Sequence, residues 1–233
     1  QLYRPWYGKL AIGLRYILTR RGPLSLSVNQ AGGYAMSRDG LDAPNLQLYF
    51  CPVSYTKAPK GKRPLMNPDP FPGFLLGIQP TRPTSRGHIG LRSKDPMDTP
   101  EIHPNSLTTN HDLMEMVEGC KLMRKIASAP ALQEVIEAEI TPGPNIQSDE
   151  EMLEDVRERC STVFHPVSTC RMGPDPTTDV VDARLRVYGV QGLRVVDASI
   201  FPTVTSGNTN APAIMVGEKG ADMILEDHQS ARG

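Results

Sequence analysis

Between Trp6 and Arg21 the apolar residues Leu10, Leu14, Ile17 and Leu18 recur at three- and four-residue steps. That spacing predicts one face of a helix, and Gly22-Pro23 ends it. A Gly-Gly step at 32–33 predicts a turn, after which NLQLYFCPVSY (45–55) alternates apolar and polar positions as a half-buried strand does. FLLGIQPT (74–81) and GHIGLRS (87–93) predict two further strands. KAPKGKRPLMNPDPFPG (57–73), with five prolines in seventeen residues, predicts a surface loop that could act as a lid. DPMDTPEIHPN (95–105) predicts a connection broken up by proline.

The longest helical signal follows, from His111 to about Ala127. Leu113, Met116, Val117, Cys120, Leu122, Met123 and Ile126 form its broad apolar face, with Thr109 or Asn110 as the cap. PALQEVIEAEI (130–140) predicts a short second helix stopped by TPGP. Ser148 and Glu151 make a capping box for a third, whose acidic first turn suits the helix dipole. LRVVDAS (193–199) has a buried-strand pattern, Gly207-Asn208-Thr209-Asn210 is turn-rich, and Pro212 falls in the first turn of a terminal helix. Strands first and helices after predict an α+β body over 1–158, an antiparallel sheet with packed helices. Residues 159–233 form a strand–loop–helix segment of different character.

Composition narrows the function. A chain of 233 residues can bury a sizeable core. Its formal net charge of −1, with Lys and Arg scattered apart from TRRGP (19–23) and KGKRP (60–64), gives no electrostatic reason to expect nucleic acid. No apolar run approaches the roughly 18–20 residues that span a bilayer, and QLYRPWYGKL does not read as a signal peptide. Without an initiating Met, residue 1 is not expected to be the natural start. Cys51, Cys120, Cys160 and Cys170 lie far apart with no CxxC pair, which favours a reducing compartment over a disulfide framework. Cys160, His165 and Cys170 have five-residue spacings that fit no common zinc pattern, so no metal is expected.

The residues with chemistry to offer cluster late. An isolated His is most often tied to a backbone carbonyl, and His88, His103, His111 and His228 read as structural or solvated. His165, in CSTVFHPVSTCRMG, precedes a proline that favours extended backbone and is flanked by Val163, Phe164 and Val167. An imidazole at the rim of an apolar wall can take a proton from an alcohol. Asp197 and Ala198 end the 193–199 run, where a carboxylate or backbone N–H commonly meets a cofactor's sugar or phosphate. The terminal helix offers a positive N-terminal dipole just after Asn208 and Asn210. Nucleophilic catalysis by Cys160 or Cys170 with His165 fares worse, because neither cysteine falls at a helix N-terminus that would lower its thiol pKa. The single Trp6 offers no obvious cage for a quaternary ammonium.

HPVSTCRMG, VVDARLRVYGVQGLRVVDASIFP and SGNTNAPAIMVGEKGADMI occur in that order. PTSRGHIGLRSKDPMDTPEIHPN, RRGPLS and AGGYAMS precede them. Together they resemble the C-terminal part of the glucose–methanol–choline (GMC) FAD-dependent oxidoreductases, nearest to the choline dehydrogenase and bacterial alcohol dehydrogenase branch. The resemblance implies a substrate-binding domain over 1–158 and a segment over 159–233 that completes the FAD-binding domain. It implies a small-molecule alcohol substrate, His165 as general base and Asn208 as the second active-site residue. Asp197 and Ala198 would lie beside the FAD ribityl and pyrophosphate, and Thr209, Asn210 and Pro212 beside the flavin pyrimidine ring. The family's GxGxxG fingerprint is missing, since GVQGLR (189–194) lacks its spacing and helix. The chain is therefore expected to be a fragment whose partner is the N-terminal FAD-binding half, unable alone to hold FAD firmly or turn over substrate. A cytoplasmic or membrane-peripheral location goes with that reading. The alternative is a non-catalytic α+β binding or interaction module that has kept this scaffold.

Overall fold

A computed structural model describes residues 5–55 and 69–230. The fold is α+β, with mixed helices and small antiparallel sheets. Most of the proline-rich segment 57–73 lies outside the described residues. The chain divides into two compact units, residues 1–79 with 116–152 and residues 80–115 with 153–233.

The first unit opens with α1 (Trp6–Thr19), closed by Arg20 in the left-handed region with its N–H on Tyr16 O at 2.8 Å. The helix forms where the spacing places it, yet Leu10, Leu14, Ile17 and Leu18 stay 48 to 79 % exposed. β1 (Ala31–Ala35) pairs antiparallel with β2 (Leu46–Cys51), from Ala31 opposite Phe50 to Ala35 opposite Leu46. Gly32 and Gly33 are thus strand residues and not the expected turn. A Cβ on Gly32 would stand 2.6 Å from Leu48 O, so the bare backbone is what lets the strands close. β3 (Leu75–Pro80) lies on the other side of β2, with Gln79 Nε2 donating to Gln47 Oε1 at 2.7 Å. The α2 helix (Asn110–Ala127) brings Gly119 against Ile78 and Leu46, and the unit's core is Leu46, Cys51, Val117 and Met152.

The helix expected over 130–140 shrinks to α3 (Pro130–Gln133). Arg124 explains part of this. Its guanidinium donates to both carboxylate oxygens of Glu139 and to the carbonyls of Gly143 and Ile146. That fixes Glu139 and the following turn by side-chain bonds, while Val135 and Ile140 stay exposed with no apolar face to dock. The capping box of α4 (Asp149–Arg159) forms as read. Glu151 N–H donates to Ser148 Oγ at 3.2 Å, and Ser148 N–H returns a bond to Glu151 Oε2 at 3.0 Å.

In the second unit, the proline-broken stretch 95–105 contains a strand. β4 (His88–Gly90) pairs antiparallel with β5 (Glu101–His103), stacking the His88 and His103 rings at 4.5 Å between centroids. Thr109 caps α2, its Oγ1 accepting from Asp112 N–H at 3.3 Å. The Asp112 carboxylate is 1 % exposed and accepts four bonds, from the N–H and hydroxyl of Thr84 and of Ser85, at 2.5 to 2.9 Å. Burial alone would raise its pKa; the bonds from Ser85 and Thr84 outweigh that and hold it at about 2.

The expected strand at 193–199 is an extended run with one antiparallel bridge, Arg194 to Arg186, plus Val195 N–H on Leu185 O. It leads into a 3₁₀ turn, Ala198–Ile200, and then to α5 (Asn210–Ser230). Val181, Leu185, Ile200, Phe201 and Val216 form the core that joins these pieces. At its far end α5 is tied down by Arg184, which reaches Met223 O, Glu226 and Asp227, and by Arg194 on Asp227. Gly220 faces Val196 so closely that an added Cβ would fall inside the valine methyl. Overpacking at Gly220→Ala should cost about 1–3 kcal/mol against the ~1 kcal/mol that alanine gains in helix propensity, a net destabilisation of up to about 2 kcal/mol. Thermal unfolding of the variant checks this, and a raised Tm would show that the α5 contact has slack.

Candidate active site

His165 sits between two residues with left-handed backbone, Phe164 (φ 63°) and Ser168 (φ 74°). Such angles are uncommon outside glycine and asparagine and cost of order 1–3 kcal/mol each, so the surrounding structure must enforce them. Upstream, Phe164 N–H donates to Thr162 Oγ1 at 3.0 Å. Downstream, Cys170 N–H donates to Ser199 O and Met172 N–H to Ile200 O, at 3.0 and 2.8 Å. These two bonds clamp the histidine segment to the 3₁₀ turn. From that turn the chain passes the buried Phe201 and enters the loop that leads to α5.

The clamp brings together residues more than forty positions apart. Asn208 Nδ2 lies 2.7 Å from His165 Nε2, and Thr209 Oγ1 lies 2.9 Å from His165 Nδ1. Both ring nitrogens are thus engaged by consecutive residues at the head of α5. His165 and Thr209 are half-buried, and Asn208 is exposed. Asn210 is exposed and Pro212 half-buried, both in the first turn of α5. Pro212 has no N–H and that of Ala213 is held by Thr209 O, so the N–H groups of Asn210 and Ala211, with the helix dipole behind them, are the ones that suit an anionic or strongly accepting group.

Asp197 and Ala198 stand at the 3₁₀ turn, which touches α5. Asp197 caps the turn through Oδ1, accepting from Ser199 N–H at 2.7 Å and Ser199 Oγ at 2.5 Å. Phe164 is 80 % exposed beside the imidazole. Neither it nor Ser168 stood out in the sequence as a strained flank, since no residue type there favours positive φ. Partial desolvation pushes the Cys160 thiol pKa up, opposite to what a cysteine nucleophile needs. Among the described residues, no three or more His, Cys, Asp or Glu are grouped to hold a metal, and no helix is long and apolar enough to cross a membrane.

The model of the GMC oxidoreductase C-terminal domain matches residues 83–217, more than half of the sequence. The chain belongs to the GMC oxidoreductase family. The match takes in β4, β5 and α2, the histidine segment and the head of α5. An alcohol dehydrogenase [acceptor] of Pseudomonas putida is 44 % identical over 210 residues, covering 90 % of this chain and 37 % of that protein. An oxygen-dependent choline dehydrogenase of Pseudomonas fluorescens is 41 % identical over 219 residues, covering 94 % and 37 %. A solved structure of Aspergillus oryzae formate oxidase, from work on its FAD modification, is 26 % identical with a TM-score of 0.82. It covers 96 % of this chain and 42 % of that one. The chain thus spans 37 % of the length of these curated relatives, and it aligns with a family of FAD-dependent oxidoreductases acting on alcohols.

Proposed function

We propose that this chain supplies the proton-accepting side of the active site of an FAD-dependent alcohol oxidoreductase of the choline dehydrogenase type. The carrying observation is the imidazole–amide pair, His165 Nε2 to Asn208 Nδ2 at 2.7 Å, at the head of α5. A hydroxyl entering between the two takes over both bonds. Its O–H donates to Nε2, and its oxygen accepts from the Asn208 amide. His165 is then placed to receive the proton as the alcohol is oxidised, while Asn208 orients the oxygen and cannot itself act as a base.

The donor set fits a flavin. The N–H groups at the start of α5 and the Asn210 amide can meet an electron-rich ring edge, with Thr209 and Pro212 alongside. Asp197 and Ala198 would line the ribityl and pyrophosphate. Bound there, FAD supplies the acceptor for the substrate's hydride. Since the chain corresponds to just over a third of its relatives' length, we expect it to hold FAD weakly alone and to turn over nothing.

A chimera tests the reading. This chain replaces the matching 210 residues of the Pseudomonas putida alcohol dehydrogenase, to which it is 44 % identical. The purified chimera should be yellow and should bleach anaerobically with a primary alcohol, choline included among those screened. A chimera that folds, carries FAD and stays oxidised with every alcohol would refute it.

A further inference from the structure

We propose that Thr209 is a positioning residue that fixes the tautomer of His165, holding the ring proton on Nδ1 so that Nε2 presents its lone pair. The inference deepens the base role given to His165 and rests on it for its catalytic meaning. The geometry comes from both faces of the ring. The Asn208 amide nitrogen at 2.7 Å can only donate, so Nε2 must accept. A neutral imidazole has one N–H, which then lies on Nδ1 and donates to Thr209 Oγ1 at 2.9 Å. The opposite tautomer would set Nε2–H against the amide hydrogens and leave a half-buried Nδ1 dependent on the hydroxyl as donor.

The helix explains why this hydroxyl is available. Thr209 is the N-cap of α5, its carbonyl accepting from Ala213 N–H at 2.9 Å. An N-cap hydroxyl ordinarily accepts from the N–H of the second or third helical residue, most often the third in a capping box. Here the third residue is Pro212, which has no N–H. Proline at that position removes one of the two usual competitors for Oγ1, leaving only the Ala211 N–H, and the β-branch of threonine stiffens χ1 so that the oxygen keeps its direction. The left-handed angles at Phe164 and Ser168 set the backbone on either side of His165.

The test reads the tautomer directly, in this chain with ¹⁵N-labelled histidine. Long-range ¹H–¹⁵N correlations are recorded at a pH where the ring is neutral, and His165 is assigned by its loss in His165→Gln. The wild-type ring should carry its proton on Nδ1, and Thr209→Ser should keep it there. Thr209→Val, nearly isosteric, should move the tautomer ratio by about tenfold toward Nε2–H, with α5 helicity by circular dichroism as the control. A wild-type ring protonated at Nε2 overturns the proposal whatever the variants do. An unchanged ratio in a folded Thr209→Val overturns it as well, and so does a Thr209→Ser that behaves like valine. In the chimera, Thr209→Val should lower the flavin reduction rate at saturating alcohol with little change in half-saturation, and serine should restore it. The two readings fail separately. A tautomer that follows Thr209 while His165→Ala keeps full activity removes the base role alone; an inactive His165→Ala with a tautomer indifferent to Thr209 removes the positioning role alone.

Discussion

His165→Ala in the chimera should slow flavin reduction by alcohol by a factor on the order of 10² or more, with FAD content and Tm little changed. The size follows from what is lost. The alcohol proton must leave as the hydride departs, and without the imidazole the side chains that surrounded it, the Asn208 amide and the Thr209 hydroxyl, offer no basic site of use. Water must then take the proton. Small external bases sharpen the test: added imidazole should restore part of the rate in a concentration-dependent way, because the deletion leaves a ring-sized space. His165→Gln keeps a polar side chain near Asn208 but supplies no base, so it should be as slow as alanine. A His165→Ala enzyme that reduces its flavin at the wild-type rate removes His165 from the chemistry.

The largest effect on folding is expected at Asp112. Its carboxylate gathers four donors from Thr84 and Ser85 while 1 % exposed, and thereby ties the loop before β4 to the first turn of α2. Asp112→Ala leaves two backbone N–H groups and two hydroxyls without their acceptor. Thr84 is exposed and water can re-satisfy its two groups, so at about 1–3 kcal/mol for each of the two on half-buried Ser85 a loss of about 2–5 kcal/mol is expected. Asp112→Asn keeps one acceptor oxygen and should cost less. The ionisation gives a second signature. The folded pKa of about 2 lies below the ordinary value of 3.8, so the carboxylate contributes stability that is complete above pH 4 to 5. That contribution, about 2 kcal/mol, is lost as pH falls from about 4 toward 2. Urea midpoints across this range should drop more steeply for wild type than for Asp112→Asn. Parallel curves would place the acid sensitivity elsewhere.

Local rules were most legible where one short pattern suffices. The Ser148/Glu151 box and the apolar period of α2 were readable because capping and helical spacing need only neighbours a few residues apart. Sequence alone allows Thr109 or Asn110 as the cap, and the bond from Asp112 N–H to Thr109 Oγ1 decides for Thr109. What escaped depends on distant partners. Gly32 and Gly33 signal a turn by composition but serve β1 because Leu48 O approaches there. β5 hides among prolines since its pairing with β4 comes from another stretch of chain. The helix read over 130–140 ends at Gln133, ahead of the turn that Arg124 ties through Glu139, and the 193–199 run pairs through Leu193, Arg194 and Val195. At the candidate site, the residues carried by the family resemblance include both that meet the imidazole, Asn208 and Thr209. Which ring nitrogen each one touches is a matter of three dimensions, as are the left-handed angles on either side of His165.

The wet stripe along α1 has a practical corollary for anyone handling the purified polypeptide. A formal charge of −1 offers almost no long-range repulsion between molecules, whereas Trp6, Tyr7, Leu10, Leu14, Ile17 and Leu18 offer a ready adhesive. That helix, as a contiguous apolar stripe, should therefore be a main contributor to self-association. Raising ionic strength with sulfate would drive precipitation instead of relieving it, while a pair of lysines at positions 14 and 18 should keep concentrated samples clear.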